Sequence, residues 1–152
     1  MDDLELTLAK MAQQLNQHAL PWMVIGGAAM VLYGLEKGPV NDIDIVLPSH
    51  AAAFLSKKYA WPNYADETSL RFRSDFLLRP ETGPVPVELL GGFHILTEQG
   101  WTALSVGETV TVSIRSQQVF LPVKAQLAAI LRLCGREKDL KRMMRLSGTY
   151  VS

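Results

Sequence analysis

Residues 24–48 read VIGGAAMVLYGLEKGPVNDIDIVLP. A short apolar run enters two adjacent glycines, Gly26 and Gly27, and an Asp-Ile-Asp at 42–44 opens a second apolar run. The first run reads as a buried strand, residues 28–35 as a short helix, and residues 41–48 as a second strand stopped by Pro48. Two residues apart on a strand, Asp42 and Asp44 point to one face, about 6.5–7 Å apart along the chain. Carboxylates so placed either converge on a hard cation or face solvent, and the pattern alone leaves both readings open. Without a Cβ, Gly26 and Gly27 let the backbone approach a ligand closely. The free N–H groups of the helix start suit an anion such as phosphate, although a tight turn without a ligand explains a lone glycine pair equally well. Glycines and aspartates together favour phosphate plus magnesium. Mg²⁺ takes one or two carboxylates with substrate phosphates, and a pair of ions about 3.5–4 Å apart clamps both oxygens of an in-line displacement at phosphorus.

A third acid would complete such a site. Glu88 lies in VPVELL, residues 85–90, where a charged side chain on an apolar strand needs a partner if buried. On a strand beside the first two acids it would face the metals and accept a proton from an attacking hydroxyl. Asp75, in RSDFLL, is the rival. Either acid on an edge strand would simply face water.

Around this centre the order reads α-β-α-β-α-β-β-(β)-α-α. Leu4, Leu8, Met11 and Leu15 recur at helical spacing after an N-cap at Asp2 or Asp3, giving a first helix that ends near His18. Ser49 caps a third helix over residues 50–60. Period-2 runs at 69–79 and 85–90, joined by RPETGP, predict a hairpin. Residues 93–105 resist assignment, and 108–122 give one or two short strands. From Pro122 the chain returns to helix. Leu127, Ile130 and Leu131 form a stripe, Gly135 breaks it, and Leu140, Met143 and Met144 resume it. The expectation is an α+β fold, one mixed sheet flanked by helices, because a hairpin in mid-chain argues against a purely parallel doubly wound sheet.

At 152 residues with 48% hydrophobic content, one globular domain is expected. Fifteen acids balance fifteen bases, so net charge points to no partner. The bases gather late, with seven Lys or Arg against two acids between Lys124 and Arg145, which fits either an anionic ligand or a solvated helix face. The single cysteine, Cys134, excludes an internal disulfide and argues against a zinc site. The opening lacks a basic-then-apolar segment, and no apolar run reaches membrane-spanning length, so a cytoplasmic protein is expected. His18, His50 and His94 have no metal-ligand spacing. A dinucleotide-binding reading also has glycines after a strand and a later acid. It needs Gly-x-Gly-x-x-Gly and a longer crossover helix, and this chain has neither.

The apolar strand, Gly-Gly-x-Ala, short helix, Asp-x-Asp and later strand acid resemble the nucleotidyltransferase superfamily that includes DNA polymerase beta. The ending LAAILRLCGREKDLKRM, residues 127–143, is similar to the C-terminal segment of small bacterial members. Those relatives include aminoglycoside nucleotidyltransferases, abortive-infection (AbiEii-type) toxins and minimal nucleotidyltransferases. The resemblance covers about residues 20–146. It implies a nucleotidyltransferase-like domain over 1–152, with a core at about 20–120 and C-terminal helices at about 122–146. It implies that Asp42, Asp44 and Glu88 hold two Mg²⁺ ions, with Glu88 also acting as base. Gly26 and Gly27 would bind the triphosphate, Arg136 and Lys138 would sit near the phosphates or the acceptor, and Arg132 would stand where many relatives carry Lys. Asp139 would orient Arg136 or Lys138.

The implied activity transfers a nucleoside monophosphate from a nucleoside triphosphate such as ATP to a hydroxyl of an unnamed acceptor, with release of pyrophosphate. The acceptor is a small molecule, a nucleic acid or a protein. A second copy of the chain, or the acceptor itself, would supply a missing wall of the cleft. The chain departs from the relatives' Arg-x-Thr-x-Asp, with Gly38 and Val40 at the Arg and Thr places and Lys37 one residue early. That departure motivates the alternative of a weakly catalytic or non-catalytic nucleotide-binding module, such as a toxin–antitoxin component.

Overall fold

The computed structural model describes residues 2–147; position 1 and positions 148–152 of the expected domain lie outside the described residues. Helix α1 spans Asp2–Gln17 and buries Leu4, Leu8, Met11 and Leu15. Strand β1 (Met23–Ile25) runs straight into α2 (Gly26–Leu32), so the glycines belong to the start of the helix rather than to the strand. Strand β2 (Ile43–Leu47) leads through Pro48 to α3 (Ser49–Tyr59), which ends on left-handed Ala60. Then come β3 (Phe72–Leu78), β4 (Val87–Thr97), β5 (Gly100–Ala103), β6 (Thr109–Ile114) and β7 (Gln117–Pro122). Helices α4 (Lys124–Cys134) and α5 (Glu137–Ser147) follow, separated by Gly135 in the left-handed region.

The main sheet is mixed, in the order β1-β2-β4-β3. Strand β1 is antiparallel to β2, β2 is parallel to β4, and β3 is antiparallel to β4. The expected hairpin is the β3–β4 pair, but β4 continues seven residues past Leu90. Its end pairs with β5, which resolves the stretch that sequence patterning left unassigned. The pattern is hidden there because Gly91 and Gly92 interrupt the apolar run, and the strand changes its facing at Gly92, which adopts φ +64°. Val87 and Leu89 pack in one core cluster, while Phe93 and Ile95 pack in the other.

One sheet was expected, and the described residues form two. Strands β6 and β7 form a separate ribbon. It rests on α1 and β1, with Phe120 edge-on to Trp22 at 5.3 Å and Asn16 donating to the Gln118 carbonyl. Apolar side chains cover both faces of the main sheet, which is why Val46 is buried along with Ile43, Ile45 and Leu47. The first face meets α1, α2 and α3. The second meets α4 through Ile130 and Cys134.

The C-terminal stripe differs from the expected one. Leu140 and Met144 are exposed, whereas Met143 and Leu146 pack on the core. Polar ties fix the α4–α5 corner instead. Arg71 Nη1 donates to the Cys134 carbonyl at 2.8 Å, and the Arg136 guanidinium lies over the Phe72 ring. No described helix is long and apolar enough to cross a membrane.

Candidate active site

Strand register brings the acids together. Asp44 pairs with Glu88 across the parallel β2–β4 ladder, so both side chains leave the sheet on one face. Asp42 precedes β2 by one residue and points the same way as Asp44. One oxygen from each of Asp42, Asp44 and Glu88 lies within 4.8 Å of the other two. On the other side of β2, Ile25 pairs with Asp44, and Gly26 follows Ile25 directly. A methyl group on Gly26 would stand 3.8 Å from Asp44 Oδ2. Three neighbouring strands thus deliver the glycine turn and two of the acids to the same end of the sheet.

The acids repel one another, and the protein only partly compensates. Burial first, then the charges of Asp42 and Glu88, push the Asp44 carboxyl from 3.8 up to about 7, while Arg136 and Lys138 pull it back. Among the described residues Glu88 has one cationic partner, Arg79, whose Nε donates to Oε2 at 3.2 Å. The Arg79 guanidinium also stacks over Tyr64, 4.9 Å from the ring centre. Asp75 is not part of this cluster. It lies against Gly92 and lines a different hollow with Asn63, Asp66 and His94. A donor set of carboxylate oxygens alone fits a hard divalent cation such as Mg²⁺, and such a charge would relieve the crowding that raises Asp44.

Two openings flank the acids. One, of about 240 Å³, is lined by Gly26, Gly27, Asp42, Asp44, Arg136 and Lys138, together with Glu36 and Arg142. The other, of about 720 Å³, runs past Asp42 and Glu88 between Tyr64, Arg79, Glu81 and a wall that includes Pro80, Pro84 and Pro86. Arg136 is held in the first opening by Asp139, which is 1% exposed. Arg136 donates to it from Nε at 2.6 Å, from Nη2 at 3.1 Å and from its own backbone N–H at 3.2 Å. The last bond also caps α5, since an acid three residues into a helix has reached back to the cap residue. Lys138 makes no hydrogen bond or ion pair among the described residues. Arg132 and Lys37 are exposed and line neither opening.

Sequence reading missed Glu36 and Arg142. The two are joined side chain to side chain at 2.9 Å across 106 residues of chain. A signal for Arg142 was present: Lys138, Arg142 and Arg145 are spaced four and three apart, which places them on one face of α5.

No family model matches the chain, and no curated protein matches it significantly. Solved structures do match over most of its length. A protein assigned as a nucleotidyltransferase from Thermotoga maritima shares 18% identity over 93% of this chain and 90% of its own, at TM-score 0.63. The lincosamide antibiotic adenylyltransferase LnuA, solved with lincomycin, shares 14% identity over 95% of this chain and 96% of its own, at TM-score 0.57. The antibiotic-resistance factor ANT(2'')-Ia also shares 14% identity, over 98% of this chain and 85% of its own, at TM-score 0.57. Identities this low speak to the course of the backbone and not to substrate. On that basis the chain has a nucleotidyltransferase-like fold.

Proposed function

We propose that this chain is a Mg²⁺-dependent nucleotidyltransferase, a single domain over 1–152 that joins a nucleoside monophosphate from a nucleoside triphosphate, ATP first among the candidates, to a hydroxyl acceptor. The observation that carries this reading is the meeting of Asp42, Asp44 and Glu88 within 4.8 Å, beside an opening lined by Gly26, Gly27, Arg136 and Lys138. Asp42, Asp44 and Glu88 would hold the metal ions, which supply charge neutralisation at the transferring phosphate and bring the attacking and leaving oxygens into line.

The chain's own groups do the rest. The smaller opening takes the triphosphate, with Lys138 free to pair with it and Arg136 already oriented by Asp139. The larger opening takes the acceptor against Tyr64 and the proline wall. Glu88 borders this opening and accepts the proton as the acceptor oxygen bonds to the α-phosphorus. The bond from that phosphorus to the bridging oxygen breaks, and pyrophosphate leaves past Lys138. An acceptor hydroxyl on a small molecule is consistent with neighbours described as lincosamide adenylyltransferase and as ANT(2'')-Ia in complex with adenylyl-2''-tobramycin.

The test is titration with labelled ATP and Mg²⁺ against wild type, Asp42→Asn and Asp44→Asn. Wild-type binding that both variants abolish supports the reading. No wild-type binding of any of the four nucleoside triphosphates, or binding indifferent to the substitutions, sinks it.

One observation favours a second reading, a non-catalytic interaction module. Arg79 already satisfies one oxygen of Glu88. If that pair is permanent, Glu88 is structural, and Arg79→Ala leaves turnover at zero while weakening a co-purifying partner. An enzyme responds differently: the same substitution changes the rate.

A further inference from the structure

The bare face of Gly27 is covered by a side chain. A methyl group there would lie 3.0 Å from Arg142 Nη2 and 3.6 Å from Glu36 Oε2. Arg142 donates from Nε to Glu36 Oε1 at 2.9 Å and from Nη2 to Oε2 at 3.1 Å. Arg145 Nη1 donates to the same Oε1 at 3.1 Å. The Arg142 and Glu36 side chains are only 19% and 24% exposed. A guanidinium presents the same fork to a carboxylate as to a phosphate. An acid therefore occupies the cationic arm of the opening where phosphate is expected.

Charge makes the same point. The charged side chains around this opening are Glu36, Asp42 and Asp44 against Arg136, Lys138 and Arg142. Asp139 holds Arg136 and Glu36 holds Arg142, so Lys138 is the one lining cation without an ion-pair partner among the described residues. A polyphosphate brought up to two aspartates needs more than that, even with metal. Releasing Glu36 frees Arg142 and Arg145 together. Glu36 belongs to neither α2 nor β2, so its side chain can leave without unmaking an element.

We propose that Arg142 and Arg145 bind the polyphosphate of the nucleotide, and that Glu36 is an internal competitor whose carboxylate the polyphosphate displaces. This rests on the nucleotide-binding reading above and adds to it two binding residues and a built-in antagonist. Arg142 thus takes up the anion-binding task that sequence assigned to the backbone at Gly27.

The test is calorimetric titration of the full chain with inorganic tripolyphosphate, and in parallel with Mg·ATP. Glu36→Gln keeps the size of the side chain and removes its charge, and tightens tripolyphosphate binding about tenfold. Arg142→Lys breaks the fork and weakens it about tenfold, the scale of a charge-assisted hydrogen bond. Arg145→Ala weakens it less. In Glu36→Gln/Arg142→Lys the gain from Glu36→Gln disappears. Glu36→Asp, too short for both bonds, serves if Glu36→Gln melts early, and also tightens binding. Weakening by both Glu36 variants would mean that Glu36 only positions Arg142, and overturns the competition. Wild-type binding unchanged by every one of these substitutions overturns this inference while leaving the nucleotide reading standing. If neither wild type nor Glu36→Gln binds tripolyphosphate or Mg·ATP, both fall.

Discussion

At the residue scale, the crowded, buried environment of Asp44 dictates a pH response. Its carboxyl titrates near 7 in the folded protein rather than at its ordinary 3.8, so the folded state holds a proton that the unfolded chain has released. The metal-free protein therefore loses stability as pH rises from about 4 to about 7. Asp44→Asn removes this loss. Urea unfolding should find the variant more stable than wild type at pH 8, with the advantage shrinking toward pH 4. A difference independent of pH would show that the carboxyl is not held protonated. Mg²⁺ prefers the ionised form, so its stabilisation of wild type should be larger at pH 8 than at pH 6.

The adjacent glycines separate at the same scale. Gly26 sits at φ +69°, so Gly26→Ala costs about 1–2 kcal/mol through its backbone alone. Gly27→Ala meets only the flexible ends of Arg142 and Glu36. It costs under about 1 kcal/mol and shifts nucleotide affinity instead. Thermal melts paired with titration distinguish the two. Much of this was legible in the sequence. The glycine pair, Asp42 and Asp44 lie within 19 residues, and Glu88 stands out as a carboxylate in an apolar strand. The Glu36–Arg142 contact was not legible, because no local pattern relates a loop residue to a helix 106 positions later.

At the scale of elements, two polar ties hold the site's frame. Asp139 caps α5 and fixes Arg136 from a buried position. Asp139→Ala removes the cap and leaves the guanidinium without its acceptor, a loss of about 1–3 kcal/mol measurable by urea unfolding. Arg136 then swings free, and nucleotide affinity falls with stability. On the opposite side, the buried Thr7 hydroxyl donates to the Asp3 carbonyl and accepts from the Val85 N–H at 3.2 Å. It ties α1 to the loop that enters β4 just ahead of Glu88. Thr7→Val strands the Val85 N–H and should cost about 1–3 kcal/mol. Helices and the central strands were legible because their apolar periods are clean. The length of β4 was not, because Gly92 reverses its facing mid-strand. The separate β6–β7 ribbon was also hidden, since alternation reveals strands but not which sheet they join.

At the scale of the whole molecule, the proposed ligand and the fold should stabilise each other. On the proposed reading, saturation with Mg·ATP at about a hundred times its dissociation constant should contribute about 2.7 kcal/mol. For a chain of this size that raises the melting point by about 5–10 °C. Asp42→Asn/Asp44→Asn should melt at one temperature with or without nucleotide. A comparable rise in that double variant would place the ligand elsewhere. The helices on both sides of the sheet were foreseeable from the amphipathic stripes. The way α4 and α5 close over the acids was not, because it depends on Arg71 reaching the end of α4 and on Phe72 beneath Arg136.

Asp42 lines both openings, so the acids form a party wall between two rooms. On the proposed reading, neither guest has to depart before the other arrives. Initial rates measured over a grid of both reactants should therefore give intersecting reciprocal lines, the pattern of direct transfer between two guests present at once. Parallel lines would mean that the nucleotide first passes onto the protein itself.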